Sequence, residues 1–271
     1  MKLQNKRIVI TGATSGIGLG LLKSLVEIEG IRIVAAGRKT ENLPERENVF
    51  PFKCDVSEQA EVDNLFRFAV EKMGGIDIFV ANAGYAYYEK LETPDWERME
   101  KIYATNVFSP VYSLTKMIEL NKTNECLVLI TASAIAKVPV PGYSLYSATK
   151  ASLDGFNTAM QYEMPPNVHL SMLYPVATYT KFFERADQKA VVPWPRQQPE
   201  AVVKAILKGI KRNKKRIYPF PCFRIAMYFI QLFPFTRTIY LKQSQKRLDK
   251  WYKEFPPHST TAEESKKGER K

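Results

Sequence analysis

The stretch PGYSLYSATKAS, residues 141–152, holds two phenols ahead of an ammonium: Tyr143, Tyr146 and Lys150. A phenol beside a cation can be tuned to give and take a proton. On a helix, i to i+4 and i to i+7 both place phenol and ammonium on one face, so spacing alone does not choose between the tyrosines. A second such stretch, TGATSGIG at 11–18, sets Gly12, Thr14, Ser15, Gly16, Ile17 and Gly18 between an apolar run and a helical pattern. Glycines there let the chain turn tightly and bring backbone N–H groups against a pyrophosphate, whose charge a helix N-terminus favours. The plainer reading is a strand-to-helix turn. The next apolar run ends AAGRK, with Gly37 and Arg38 where an NAD site would be expected to place an acid for the ribose 2′-hydroxyl. Arg38 either forks onto a 2′-phosphate, which makes NADP(H) the preferred cofactor over NAD(H), or is a solvated loop charge.

These residues need a scaffold. Short runs rich in Val, Ile and Leu (RIVITG, IRIVAAG, NVFPFKCDV, DIFVANAG, CLVLITASA, NVHLSMLYP) alternate with helical patterns over the first 180 residues. Continuous apolar strands are buried on both faces, and their alternation with helices implies right-handed βαβ units in one parallel sheet. The expected fold class is α/β, a doubly wound parallel sheet (a Rossmann fold) in a single domain over 1–220. Ligands bind such sheets at the carboxyl ends of the strands, where the polar and glycine residues stand. A proline-rich segment, RADQKAVVPWPRQQPE, reads as a mobile loop over the site. It is followed by an amphipathic helix, PEAVVKAILKGIKRN, and a last strand in KRIYPFP. Residues 221–257 read as an apolar and basic helical extension, and 258–271 as a disordered tail.

The net charge of +12 is unevenly placed: residues 1–203 hold 22 Lys+Arg against 23 Asp+Glu, and residues 204–271 hold 18 against 5. Basicity confined to one end reads as an appended surface, and with no docking motif a nucleic-acid partner is not expected. Cys54, Cys126 and Cys222 are widely spaced, and His169 and His258 have no metal-ligand company, so neither a disulfide framework nor a metal site is expected. The N-terminus lacks the long apolar stretch of a signal peptide, so the mature chain is expected to begin at Met1 and to reside in the cytoplasm.

TGATSGIG, CDV, ANAG, Ser133 and YSATK, with the serine 13 positions before the tyrosine, occur in an order and spacing that resembles the short-chain dehydrogenase/reductase family over roughly residues 5–180. The resemblance implies an oxidoreductase in which Asp55 and Val56 flank the adenine and Asn82, Ala83 and Gly84 line the cofactor. It also places Asn106 in a proton relay and implies a homo-oligomer. Two departures stand out: Ala81 replaces the first Asn of the family's NNAG, and Pro175-Val176 replaces its Pro-Gly, putting a side chain near the nicotinamide. Thr178 and Thr180 follow in the segment expected to hold the cofactor.

A phenol of pKa about 10 needs roughly 4 kcal/mol of differential stabilisation to titrate near 7. A cation about 4 Å away at an effective dielectric of about 20 supplies about that much. Lys150, one turn beyond Tyr146, is placed to do so, with the oxidised nicotinamide adding to it. Tyr143 lies about 10 Å away along the axis, too far, and follows the turn-forming PVPG. Tyr146 is therefore the expected acid/base, Ser133 the hydrogen-bond partner of the substrate oxygen, and Tyr143 a substrate-wall or packing residue.

The aromatic segment CFRIAMYFIQLFPF, interrupted by Arg224 and ended by Pro234, is too short to span a bilayer. Two readings stay open for it: burial against the sheet or in a dimer contact, or peripheral contact with an anionic membrane. Both suggest a hydrophobic substrate, a keto-lipid, steroid-like or long-chain carbonyl or alcohol. The rival to an enzyme is a regulatory NADP(H)-binding, membrane-associated module without turnover.

Overall fold

The computed structural model describes residues 1–255 apart from Asn42 and Gln188, so the tail expected from His258 onward lies outside the described residues. In chain order the elements are β1 (Arg7–Thr11), α1 (Gly16–Leu25), β2 (Arg32–Gly37), β3 (Val49–Lys53), α2 (Gln59–Met73), β4 (Ile78–Ala81) and α3 (Trp96–Tyr103). There follow a π-turn at Ala104–Phe108, α4 (Ser109–Leu120), β5 (Cys126–Thr131), a 3₁₀ turn at Ala134–Ala136, α5 (Ser144–Glu163) and β6 (Val168–Leu173). The remainder is β7 (Ala177–Thr178), α6 (Phe182–Ala186), β8 (Arg196–Gln197), α7 (Pro199–Lys211), β9 (Arg216–Ile217), α8 (Pro221–Leu232) and α9 (Pro234–Glu254).

Seven strands form one parallel sheet in the order β3-β2-β1-β4-β5-β6-β9. The continuous apolar runs are explained by the period of two: Val9, Val34, Phe79 and Val128 point into a core shared with α2, α4 and α5. Ile8, Ile10, Ile33, Val80 and Leu129 point into a second core under α1 and α7. Both faces of the central strands are covered, while the edge strand β3 leaves Pro51 and Lys53 exposed. Strand order reverses between β2 and β4, which both pair with β1, and the carboxyl ends of β1, β2, β4, β5 and β6 meet there.

The chain after β6 differs from its sequence-based reading in two places. The proline-rich segment is tied rather than open: β8 pairs with β7, and α6 folds between them. The aromatic segment is not buried against the sheet, because α8 keeps only Phe223 buried, and Pro234 takes the first-turn position of a further 21-residue helix, α9.

Candidate active site

A cavity of about 1390 Å³ runs from the β1–α1 turn across the strand ends to α8 and α9. Single-ligand pockets span roughly 300–1,000 Å³, so it has room for two ligands side by side. At one end Gly12, with φ +66°, and Gly16, with φ +54°, carry the turn through left-handed backbone that a side chain rarely adopts. Gly18 lets α1 lie against that turn, since a Cβ there would stand 2.2 Å from the Gly12 carbonyl oxygen. No side chain caps the α1 N-terminus and its first turn holds no acid, leaving N–H groups and a positive dipole end for an anion.

Thr14, Ser15, Gly16, Ile17 and Arg38 all line this end, as do Asp55 and Val56. Arg38 is exposed at the end of β2, with Lys39 beside it on the cavity wall. The Asp55 carboxylate accepts from the Ser57 N–H at 3.1 Å and hydroxyl at 2.8 Å, fixing the loop into α2. Asn82 binds three strand ends together: its amide donates to the carbonyls of Thr11 and Gly12 at 3.3 and 3.4 Å, and its oxygen accepts from the Thr131 hydroxyl. Ala83 and Gly84 continue that wall, and a Cβ on Gly84 would sit 3.7 Å from the Lys150 ammonium. These groups fit a dinucleotide: a glycine turn, an uncapped helix end for the phosphates, and two cations beside a ribose position without an acid.

At the other end Ser133, Tyr146 and Lys150 share one wall. Ser133 opens the 3₁₀ turn, where its Oγ accepts from the Ile135 N–H at 3.2 Å, and it lines the same wall as Tyr146. Tyr146 lies on the first turn of α5, and Lys150 one turn on donates to the Thr131 carbonyl at 2.7 Å with its ammonium 5.7 Å from the Tyr146 ring centre. Burial acts on both against their charged forms: it pushes the phenol up to about 12, with the Ser133 hydroxyl partly offsetting it, and the ammonium down to about 7. Burial thus opposes the lowering that Lys150, with the oxidised nicotinamide adding to it, is expected to bring to the phenol. Tyr146 is thus a protonated donor at neutral pH, suited to giving a proton to a carbonyl oxygen. A bound nicotinamide dinucleotide would supply the hydride and, when oxidised, a positive ring that favours the phenolate.

Asn106 sits in the π-turn, a geometry that often marks functional positions. Its oxygen accepts from the Tyr85 N–H at 3.1 Å, and its amide donates to the Tyr85 carbonyl at 2.9 Å and to the Thr149 hydroxyl at 3.1 Å. The side chain therefore clamps the loop after β4 to α5. Tyr143 caps α5 outside its first turn, and the structure puts it behind the cavity wall: it is 1% exposed, packed on Tyr88 and Phe183, and donates its hydroxyl to the Val191 carbonyl at 3.0 Å. The substrate-wall reading of Tyr143 is thereby replaced by packing, because α6 and the segment after it close over the ring.

Pro175 and Val176 line the cavity between the two ends. The Pro175 carbonyl accepts from the Ala134 N–H at 2.8 Å, and the Val176 carbonyl accepts from the Thr178 hydroxyl at 3.0 Å and the Gln197 amide at 3.4 Å. Thr180 accepts from the Phe182 N–H at 3.3 Å and so starts α6. That helix carries residues the sequence reading missed: Phe182 packs on the Tyr146 ring, and Arg185 donates to the Ser15 hydroxyl at 3.2 Å, fastening α6 across the glycine turn. A proline-rich stretch concealed them, since five helical residues give too little periodicity to read.

The family model described as short chain dehydrogenase matches residues 6–190. The chain belongs to the short-chain dehydrogenase family. It is 27% identical over 231 residues to the 3-dehydrosphinganine reductase of Danio rerio, covering 77% of this chain and 69% of that protein. Among solved structures, the short-chain dehydrogenase of Burkholderia cenocepacia in complex with NADP superposes with a TM-score of 0.76 at 22% identity, over 89% of this chain and 99% of that one. The 3-ketoacyl-(acyl-carrier-protein) reductase of Brucella melitensis, complexed with NADH, gives a TM-score of 0.70 at 26% identity, over 80% and 97%. Membership makes this chain an oxidoreductase of the doubly wound fold, and these two solved neighbours hold NADP and NADH.

Proposed function

We propose that the protein interconverts a carbonyl and a secondary alcohol on an apolar substrate, with NADP(H) preferred over NAD(H). The observation that carries this reading is one cavity with Arg38 and Lys39 at one end and Ser133, Tyr146 and Lys150 at the other. In it Tyr146 gives the carbonyl oxygen its proton or takes one from the alcohol, Ser133 holds that oxygen, and Lys150 supports the phenol's charge. Asn106 acts through the loop it clamps. Arg38 meets the 2′-phosphate as a fork, a role the absence of any acid at the end of β2 supports. Gly12, Thr14, Ser15, Gly16, Ile17, Gly18, Asp55, Val56, Asn82, Ala83, Gly84, Thr178 and Thr180 hold the rest of the dinucleotide.

The substrate end supports an apolar molecule: Ile135, Val140, Phe182, Phe183, Phe223 and Phe229 wall it. The Danio rerio relative, named 3-dehydrosphinganine reductase, agrees with a keto-lipid as one member of the class. The test is a panel of aliphatic, steroid and lipid ketones followed by loss of NADPH absorbance, with NADH run in parallel. Turnover of long-chain or steroidal ketones with NADPH is expected. Val176, whose side chain lies in the wall beside Pro175, favours a second reading, an NADP(H) sensor without turnover; a panel with no active member alongside tight NADPH binding would select it.

A further inference from the structure

The helical hairpin α8–α9 exposes the largest group of apolar side chains on the described surface. Ile225 is 71% exposed, Leu232 74% and Phe235 60%, and Tyr228, Phe229, Phe233 and Ile239 are exposed with them. Scattered exposed leucines are ordinary, but a contiguous run of large apolar groups over two helices marks a contact surface. No described helix is long and apolar enough to cross a membrane. At 12 residues α8 is about 18 Å long, short of the roughly 30 Å of a hydrocarbon core. Such a helix lies in an interface rather than across it.

Cations dominate the charges on the hairpin. Arg224, Arg237, Lys242, Lys246 and Arg247 are exposed on α8 and α9. The two acids of the hairpin are already engaged, Asp249 with Lys90 at 2.8 Å and Glu254 with Lys250 at 3.7 Å. Among the described residues no carboxylate pairs with Arg224, Arg237, Lys242 or Lys246. Apolar side chains rimmed by cations complement a leaflet with anionic headgroups, where each Lys or Arg adds to the attraction. A second copy of the chain would bring the same cations face to face.

The hairpin is also a wall of the cavity. Trp194, Ile225 and Phe229 line the cavity while remaining 72%, 71% and 54% exposed, so they form its rim on the apolar side of the molecule. We propose that the α8–α9 face seats on the surface of an anionic bilayer, and that the cavity opens into the leaflet through the Trp194, Ile225 and Phe229 rim, so that an apolar substrate reaches Tyr146 from lipid. The seating stands on the surface alone; the route rests on the carbonyl chemistry proposed above.

The test uses the full chain and vesicles of phosphatidylcholine, alone or mixed equally with phosphatidylglycerol. The protein should sediment with the mixed vesicles roughly tenfold or more better than with phosphatidylcholine alone, and added salt should weaken that difference. The Leu232→Asp/Phe235→Asp variant, at exposed positions outside the cavity wall, should keep its thermal melt and stay in the supernatant. Tyr146→Phe should sediment like the parent, which separates seating from turnover. With a long-chain ketone carried in mixed vesicles, Leu232→Asp/Phe235→Asp should raise KM about tenfold while leaving a short water-soluble ketone unaffected; equal KM values in vesicles overturn the route. Parent protein that ignores mixed vesicles, or a double variant that binds them undiminished, overturns the seating. So does a parent dimer that the double variant splits while neither protein binds vesicles, since the occupant is then a second copy.

Discussion

At the carboxyl edge of the sheet, polar side chains are tied to other elements: Asn82 to β1 and β5, Asn106 to Tyr85 and Thr149, Lys150 to Thr131. Along α8 and the start of α9 the reverse holds, with large apolar side chains facing out and few contacts fixing them. The difference follows from what each kind of group costs. A buried polar group without a partner costs about 1–3 kcal/mol, so the sheet edge can hold such groups only in one satisfied geometry, and that geometry sets atoms for proton transfer. An exposed apolar side chain demands no particular partner. It leaves the hairpin free to meet a surface but unable to position chemistry.

The largest effect is expected at Tyr146. Tyr146→Phe should lower kcat by roughly a thousandfold, within the range for a positioned acid or base, while NADPH affinity by fluorescence titration stays near that of the parent. Full turnover in that variant removes the chemical role from the sheet edge. Next is Arg38→Asp, expected to lose about 10- to 100-fold of the preference for NADPH over NADH, the worth of a charge-assisted fork, in the ratio of kcat/KM values. An unchanged ratio would show Arg38 to be a solvated loop charge.

Folded, Lys150 titrates at about 7, whereas an unfolded lysine titrates near about 10.4. Between about pH 7 and 10 the unfolded chain therefore binds more protons, and this group makes stability rise with pH. Tyr146, raised from about 10 to about 12, binds its proton more firmly when folded, a contribution present below about pH 10 and lost as pH climbs to about 12. In urea melts across this range Lys150→Met should flatten the rise; an unchanged slope would mean that Lys150 is not desolvated. The smallest effect is expected at Tyr143. Tyr143→Phe removes the bond to the Val191 carbonyl and should cost about 1 kcal/mol of stability with kcat altered less than about threefold, so the two tyrosines of one helix start should differ by orders of magnitude in kcat.

Much of the site was legible from residue order. Each motif lies where a buried strand ends, and strand, turn and helix starts are local features that Val/Ile runs, Gly12, Gly16 and the YSATK spacing announce by themselves. The fold class followed from the same alternation. What stayed hidden depends on contacts between distant parts of the chain. No spacing rule could show Asn106 clamping Tyr85, Thr131 receiving Lys150, or Arg185 fastening α6 to Ser15 across 170 positions.

The sequence by itself determined the doubly wound sheet, the glycine turn, and the pairing of Tyr146 with Lys150 one turn apart, because backbone periodicity and short-range sterics decide those. Only the tertiary structure decided that Tyr143 is packing, that burial sets Tyr146 and Lys150 against their charged forms, and that α8 turns its apolar side outward. Burial is a property of the whole packed chain, and no residue carries it alone.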